Sequence, residues 1–132
     1  MSEEQGSATL LLLAVACLVL ILTVGVADAG IAFAARLQAA AAADAAALAA
    51  APVTFRPFGA AGSPADEARR FAAANGAVLV ACRCPIDPSW QPRVAEVVVE
   101  RRVALLGIGA VTVRAESRAE FSPAALIGVA EP

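Results

Sequence analysis

From Ser7 to Ala27 the chain has no charged residue, and Asp28 is the only charge before Arg36. A helix needs about 20 predominantly apolar residues to cross the hydrocarbon core of a bilayer, and this stretch meets that length. Its centre, from Leu10-Leu11-Leu12-Leu13 to Val19-Leu20-Ile21-Leu22, is rich in Leu, Val and Ile. Gly25 is tolerated inside a membrane helix. The helical pattern continues past the membrane surface, because residues 32–51 are nearly all Ala, the strongest helix former. One continuous helix over residues 7–51 is the expectation. At 1.5 Å per residue it measures about 65 Å, roughly twice the hydrocarbon thickness, so its second half must stand outside the bilayer. Asp28, Arg36, Gln38 and Asp44 are too few to solvate that half. Its small Ala surface, with Ala39, Ala43, Ala46 and Ala50 as the candidate assembly face, is expected to pack closely against another helix.

Setting that helix and its flanking segments aside leaves about half of the 132 residues for soluble structure, enough for one small domain. Hydrophobic residues make up 60% of the chain, against roughly 45–50% in ordinary soluble domains, and the mean hydropathy is +0.74. The excess points to the lipid bilayer as a partner. A net charge of -2 offers no basic face for polyphosphate, which sets nucleic acid aside. The chain has no His, Lys or Tyr, so the commonest general base, the Schiff-base amine and the phenolic acid are all missing. No catalytic residue, cofactor or enzyme activity is expected.

The three cysteines differ by location. Cys17 lies in the apolar run and packs as a small polarizable side chain. Cys82 and Cys84 fall in a strand-like segment, where residues i and i+2 stand about 7 Å apart at the α-carbons. That is beyond comfortable disulfide reach, and a bridge between them needs a distorted backbone. Zinc usually takes four ligands, which one thiol pair without His does not supply, so no metal site is expected. The pair reads as buried small residues, a strained local disulfide, or an intermolecular bridge in an oxidising compartment.

Pro52 ends the long helix, and Pro57, Gly59 and Gly62 mark a linker over 52–62. Ser63-Pro64-Ala65-Asp66 supplies a capping Ser, Pro at the first helical position and a carboxylate three residues on, with Asn75-Gly76 as the stop. A short amphipathic helix is expected there. Residues 77–82 form an apolar run of strand length, followed by a loop over 85–92 with three Pro and Trp90. Residues 94–101 alternate Ala95, Val97 and Val99 against Glu96 and Glu100, with Val98 an exception on the polar face. Val111, Val113, Ala115, Ser117, Ala119 and Phe121 alternate with Thr112, Arg114, Glu116, Arg118 and Glu120, a period-two signal of a half-buried strand. The fold class is therefore α+β. A domain over 63–122 has one helix covering the apolar face of about three antiparallel strands, and the tail over 123–132 carries no signal.

Opposite charges alternating on a strand face provide solubility and cross-strand pairing rather than catalytic carboxylates. Gly107-Ile108-Gly109 lacks the third glycine and the strand-to-helix context of a phosphate loop, and reads as a turn. Trp90 either closes the end of a small core or contacts a partner. The N-terminus has three readings. Ala27-Asp28-Ala29 offers a small-x-small signal-peptide cleavage site, although the first residues are acidic and the apolar run exceeds the usual length. An uncleaved signal anchor needs only the apolar run. A prepilin-type leader over 1–6 would end at Gly6, with processing before Ser7.

Gly6-Ser7-Ala8-Thr9 ahead of the apolar helix, Arg36-Leu37-Gln38-Ala39-Ala40 within it, and the Ala42 to Ala49 run resemble the TadE/TadG-like proteins of tight-adherence pilus and secretion clusters. Their short helicase/secretion-neighbourhood branch is the nearest in pattern. Ala73-Ala74-Asn75-Gly76-Ala77 and the final Arg114-Ala115-Glu116-Ser117-Arg118-Ala119 extend the resemblance over most of the chain. It implies a pilin-like, pseudopilin-like or minor-pilin-like membrane component, with a cytoplasmic N-terminus and the small domain outside. Its partners would be other pilus or secretion-system membrane subunits, or copies of itself. Leu11 stands where many pilins carry a Glu five residues after the processing Gly, and Glu3, Glu4 and Gln5 replace the usual basic residue before it. The expected function is a non-catalytic single-pass component of such an apparatus. The alternative is a signal-anchored or secreted binding module that uses the small domain.

Overall fold

A computed structural model describes residues 2–55 and 62–128. Helix α1 spans Ser2–Val53, helix α2 Pro64–Ala74, and strands β1 Val78–Arg83, β2 Arg93–Leu105 and β3 Gly109–Phe121 follow, with a 3-10 turn at Pro123–Ile127. The strands form one antiparallel sheet in the order β1-β2-β3. The expected α+β class holds. Pro57 and Gly59 of the expected linker, and the last four residues of the tail, lie outside the described residues.

α1 is a single helix of 52 residues, which at 1.5 Å per residue is about 78 Å long. Pro52 sits in its last turn rather than beyond it. The end is closed by Thr54, whose hydroxyl donates to the Ala51 carbonyl at 2.6 Å. Ala35, Ala39, Ala42, Ala43, Ala46, Ala47, Ala50 and Ala51 are all buried in the chain's own core with Ala68, Ala72, Ala95, Val97 and Val99. Their spacing of three and four residues keeps one stripe of α1 facing inward. This corrects two expectations. The candidate assembly face Ala39, Ala43, Ala46 and Ala50 is fully buried within the same molecule, so its partners are the chain's own sheet and α2 rather than a foreign helix. The main cover of the sheet is accordingly the extramembrane half of α1, with α2 packed beside it against α1 and β1. The physical reason is size. Methyl side chains let the helix axis approach the sheet closely, and each buried methyl contributes about 0.8 kcal/mol.

α2 begins and ends on the expected residues. The Asp66 amide donates to the Ser63 hydroxyl at 3.1 Å, and the Asp66 carboxylate accepts in return from the Ser63 amide and hydroxyl. These Ser63 contacts, followed by the Arg69 guanidinium, hold the Asp66 carboxyl below its ordinary value. Gly76 takes φ +71° after the cap, a conformation that suits glycine. The Arg101 guanidinium donates to its carbonyl at 2.9 Å and ties the helix end to β2.

β2 alternates as expected, with Ala95, Val97 and Val99 buried, but runs on to Leu105 because β3 pairs with it as far as Leu105 opposite Gly109. Across the outer face, Arg83, Glu96 and Arg118 stand in register on three strands, with Glu96 ion-paired to Arg118 at 3.2 Å and to Arg83 at 3.5 Å. Glu100 pairs with Arg114. Such exposed pairs contribute about 0–1 kcal/mol each and chiefly keep this face wet.

Ala43→Leu adds three carbons where no surface is accessible and is expected to destabilise the domain by about 1–3 kcal/mol. Ala41→Leu on the exposed side is expected to change stability by less than about 0.5 kcal/mol. Guanidinium unfolding in detergent, read by Trp90 fluorescence, measures both, and equal effects would show that the Ala43 face is not core.

Candidate functional site

Three places bear on function: the apolar half of α1, the turn between β2 and β3, and the loop that carries Trp90. The first is a helix long and apolar enough to cross a membrane. Leu10 to Leu13, Leu18, Leu20, Ile21 and Leu22 are all exposed on its surface, as lipid-facing side chains should be. Gly6 and Ser7 lie exposed in its first turns, and Cys17 is a free thiol on the same surface. Beyond the span the outer side of α1 exposes Phe33, Leu37 and Leu48, residues that recur at helical spacing opposite the buried Ala stripe.

The second place joins residues far apart in the sequence. The backbone amides of Leu106 and Gly107, at the tip of the β2–β3 hairpin, donate to the Asp28 carboxylate at 2.6 and 2.9 Å. Each oxygen of Asp28 takes one amide, so a single side chain fixes the hairpin against α1. A Cβ on Gly107 would stand 3.0 Å from Asp28 Oδ2 and 3.2 Å from Val24 Cγ1, which accounts for glycine at that point of the turn. Further along, the Ser117 hydroxyl hydrogen-bonds the Asp44 carboxylate across the same helix–strand seam. The sequence signals were faint: one carboxylate just past the apolar run and one glycine in a turn, 79 residues apart.

In the third place, Phe55 is fully buried and Trp90 half-exposed, their rings meeting edge-on with centroids 5.0 Å apart. Trp90 thus both closes the core and presents a face outward. The organiser is Arg93, a buried charge overlooked at the head of β2. Its guanidinium donates to the carbonyls of Asp87, Ser89 and Gln91 and lies 5.3 Å from the Phe55 ring centroid. The loop is pinned further where the Asp87 amide donates to the Thr54 carbonyl at 3.0 Å. The Ser89 amide and hydroxyl, both donating to Asp87, hold its carboxyl below the ordinary range.

Cys82 and Cys84 form a disulfide, the local bridge among the three readings. Their α-carbons are 5.5 Å apart rather than the strand spacing, because β1 stops at Arg83 and Cys84 is free of the ladder. Both pack against the core margin, Cys82 opposite Val97 in the ladder. Among the described residues no group of three or more Cys, Asp or Glu side chains is placed to hold a metal ion.

Over residues 6–53 the chain matches the family described as putative Flp pilus-assembly TadE/G-like, the family that its sequence resembles. The match covers α1 almost end to end, the membrane-length segment and the Ala-rich core face together. No curated protein and no solved structure matches the chain. A pilus-related role and a membrane location fit the matched helix.

Asp28→Ala removes both acceptors at the hairpin tip. Amide exchange at Leu106 and Gly107 is expected to rise about tenfold or more, since hydrogen bonds to a charged group contribute about 1.5–3 kcal/mol, while exchange in β1 stays unchanged. Arg93→Lys keeps the charge but cannot serve three carbonyls from one planar fork. A red shift of Trp90 emission and greater quenching by acrylamide are the expected result, and an unchanged spectrum would remove Arg93 as organiser of the loop.

Proposed function

We propose that this chain is a non-catalytic, single-pass component of a tight-adherence-type pilus or secretion apparatus, pseudopilin-like or minor-pilin-like, that assembles laterally through α1. The observation that carries the reading is the continuity of α1. One helix is both the membrane-length segment and the central core element of the small domain, so a neighbour that grips the span holds the domain rigidly as well. The face for that assembly is the outward stripe of Phe33, Leu37 and Leu48, continuous with the apolar span, in place of the buried Ala face. Placement of the domain outside the cytoplasm is supported by the Cys82–Cys84 disulfide, a bond that persists in oxidising compartments. Retention of the helix, rather than cleavage near Ala29, is supported by Asp28 and Val24, which serve the folded domain at the hairpin tip. The half-exposed Trp90 favours one second reading, a tethered module that binds an envelope ligand with its loop.

The two separate by variant. The double substitution Leu37→Glu with Leu48→Glu, expressed in the native host, is expected to abolish co-purification of other membrane subunits or of a tagged second copy. Trp90 emission is expected to stay unchanged, which shows an intact domain. If co-purification survives that variant and is lost with Trp90→Ala, the binding-module reading stands instead.

A further inference from the structure

The β2–β3 hairpin changes character along its length. Up to Arg102 and from Arg114 onward its outer face carries charges at most outward positions, among them Glu96, Glu100, Arg114, Glu116 and Arg118, with Val94 and Val98 the exceptions. Between them, residues 103–113 hold no charge at all, and at the tip Leu106 is 71% and Ile108 76% exposed. A sheet face that abandons its polar alternation while remaining uncovered has changed solvent. The tip lies against Val24 and Asp28 of α1, at the end of the segment whose Leu, Val and Ile side chains suit hydrocarbon. We propose that the β2–β3 turn is a second membrane contact, with Leu106 and Ile108 seated in the interfacial layer of the same bilayer that α1 crosses. This rests on the membrane-spanning reading of α1.

The polar groups at the tip are arranged for such a position. A carboxylate and free turn amides are each costly to bring toward lipid unless satisfied. Asp28 and the amides of Leu106 and Gly107 satisfy one another, so these two amides and the tip's one charge enter already paired. The cations then fall at a single level. Along α1, the eight residues from Asp28 to Arg36 rise about 12 Å. Along β2, the four residues from Leu106 back to Arg102 cover about 13 Å. The two arms do meet there: Arg36 and Ala40 line one groove with Thr112, Val113 and Arg114, and Thr112 is the partner of Arg102 in the ladder. Among the described residues neither Arg36 nor Arg102 has an ion pair. With Leu106 and Ile108 in the interface, both stand where lipid phosphates lie, as cations flanking an apolar insertion do.

The test uses the full chain in vesicles of zwitterionic and anionic phosphatidyl lipids. Trp90→Phe removes the only native Trp, and single Trp reporters are then introduced by Leu106→Trp, Ile108→Trp, Leu20→Trp and Glu120→Trp. With lipids brominated on the upper acyl chain, emission from positions 106, 108 and 20 is expected to be lost, and emission from 120 retained. Adding Asp28→Ala is expected to relieve the quenching at 106 and 108 while leaving it at 20. Quenching of the tip reporters by aqueous iodide instead of bromolipid would overturn the proposal by placing the turn in water. Protection from both quenchers would overturn it in favour of a covering protein, such as a second copy. Loss of quenching at position 20 as well would show that the membrane-spanning reading itself has failed.

Discussion

The architecture depends on one helix serving two media. α1 crosses from a Leu-rich segment with its side chains exposed to an Ala-rich segment with one stripe fully buried, without a break in its hydrogen-bonded ladder. A joint between the two would have left the domain free to swing. Continuity makes the domain an extension of the span, and the small side chains of Ala let the sheet close on it. The core that results is shallow. Its largest fully buried side chains are Phe55, Val97, Val99, Thr54 and Pro123, so stability rests on close approach more than on bulk.

The sheet follows from the same constraint. Its inner face must match a ridge of methyl groups, which Ala95, Val97, Val99 and Ala119 do. Its outer face carries the Arg83–Glu96–Arg118 row and the Glu100–Arg114 pair, which keep that face wet. At one end the hairpin outruns the charged row and is clasped by Asp28. At the other, Arg93 gathers the carbonyls of the loop over Phe55, and the local Cys82–Cys84 bridge sits where β1 ends. Helix and hairpin are thus fastened at the membrane end by a carboxylate and at the far end by a guanidinium.

The pilus-assembly family match lies over α1, and an apolar stripe of the same helix continues outside the membrane-length segment. A small domain rigidly joined to its anchor suits a part that is positioned by its neighbours. Phe33, Leu37 and Leu48 lie on the side of α1 that the sheet leaves open.

Much of this was legible in the residues because it is local. The uncharged run from Ser7 to Ala27 demands a membrane-length helix, the Ser63 to Asp66 box and Asn75-Gly76 bracket α2, and alternation marks β2 and β3. Each depends on neighbours a few positions apart, where periodicity and capping chemistry act directly. The occupant of the Ala face, the Asp28 clasp, the role of Arg93 and the Cys82–Cys84 bridge were decided only by the tertiary structure. An Ala stripe is equally complementary to a foreign helix or to the chain's own sheet. A carboxylate finds amides 78 and 79 residues away only once a hairpin has fixed where they lie. A thiol pair closes only where the strand ladder lets go of one partner. Sequence determined the elements through local chemistry, and the fold decided which surfaces remained for anything else to touch.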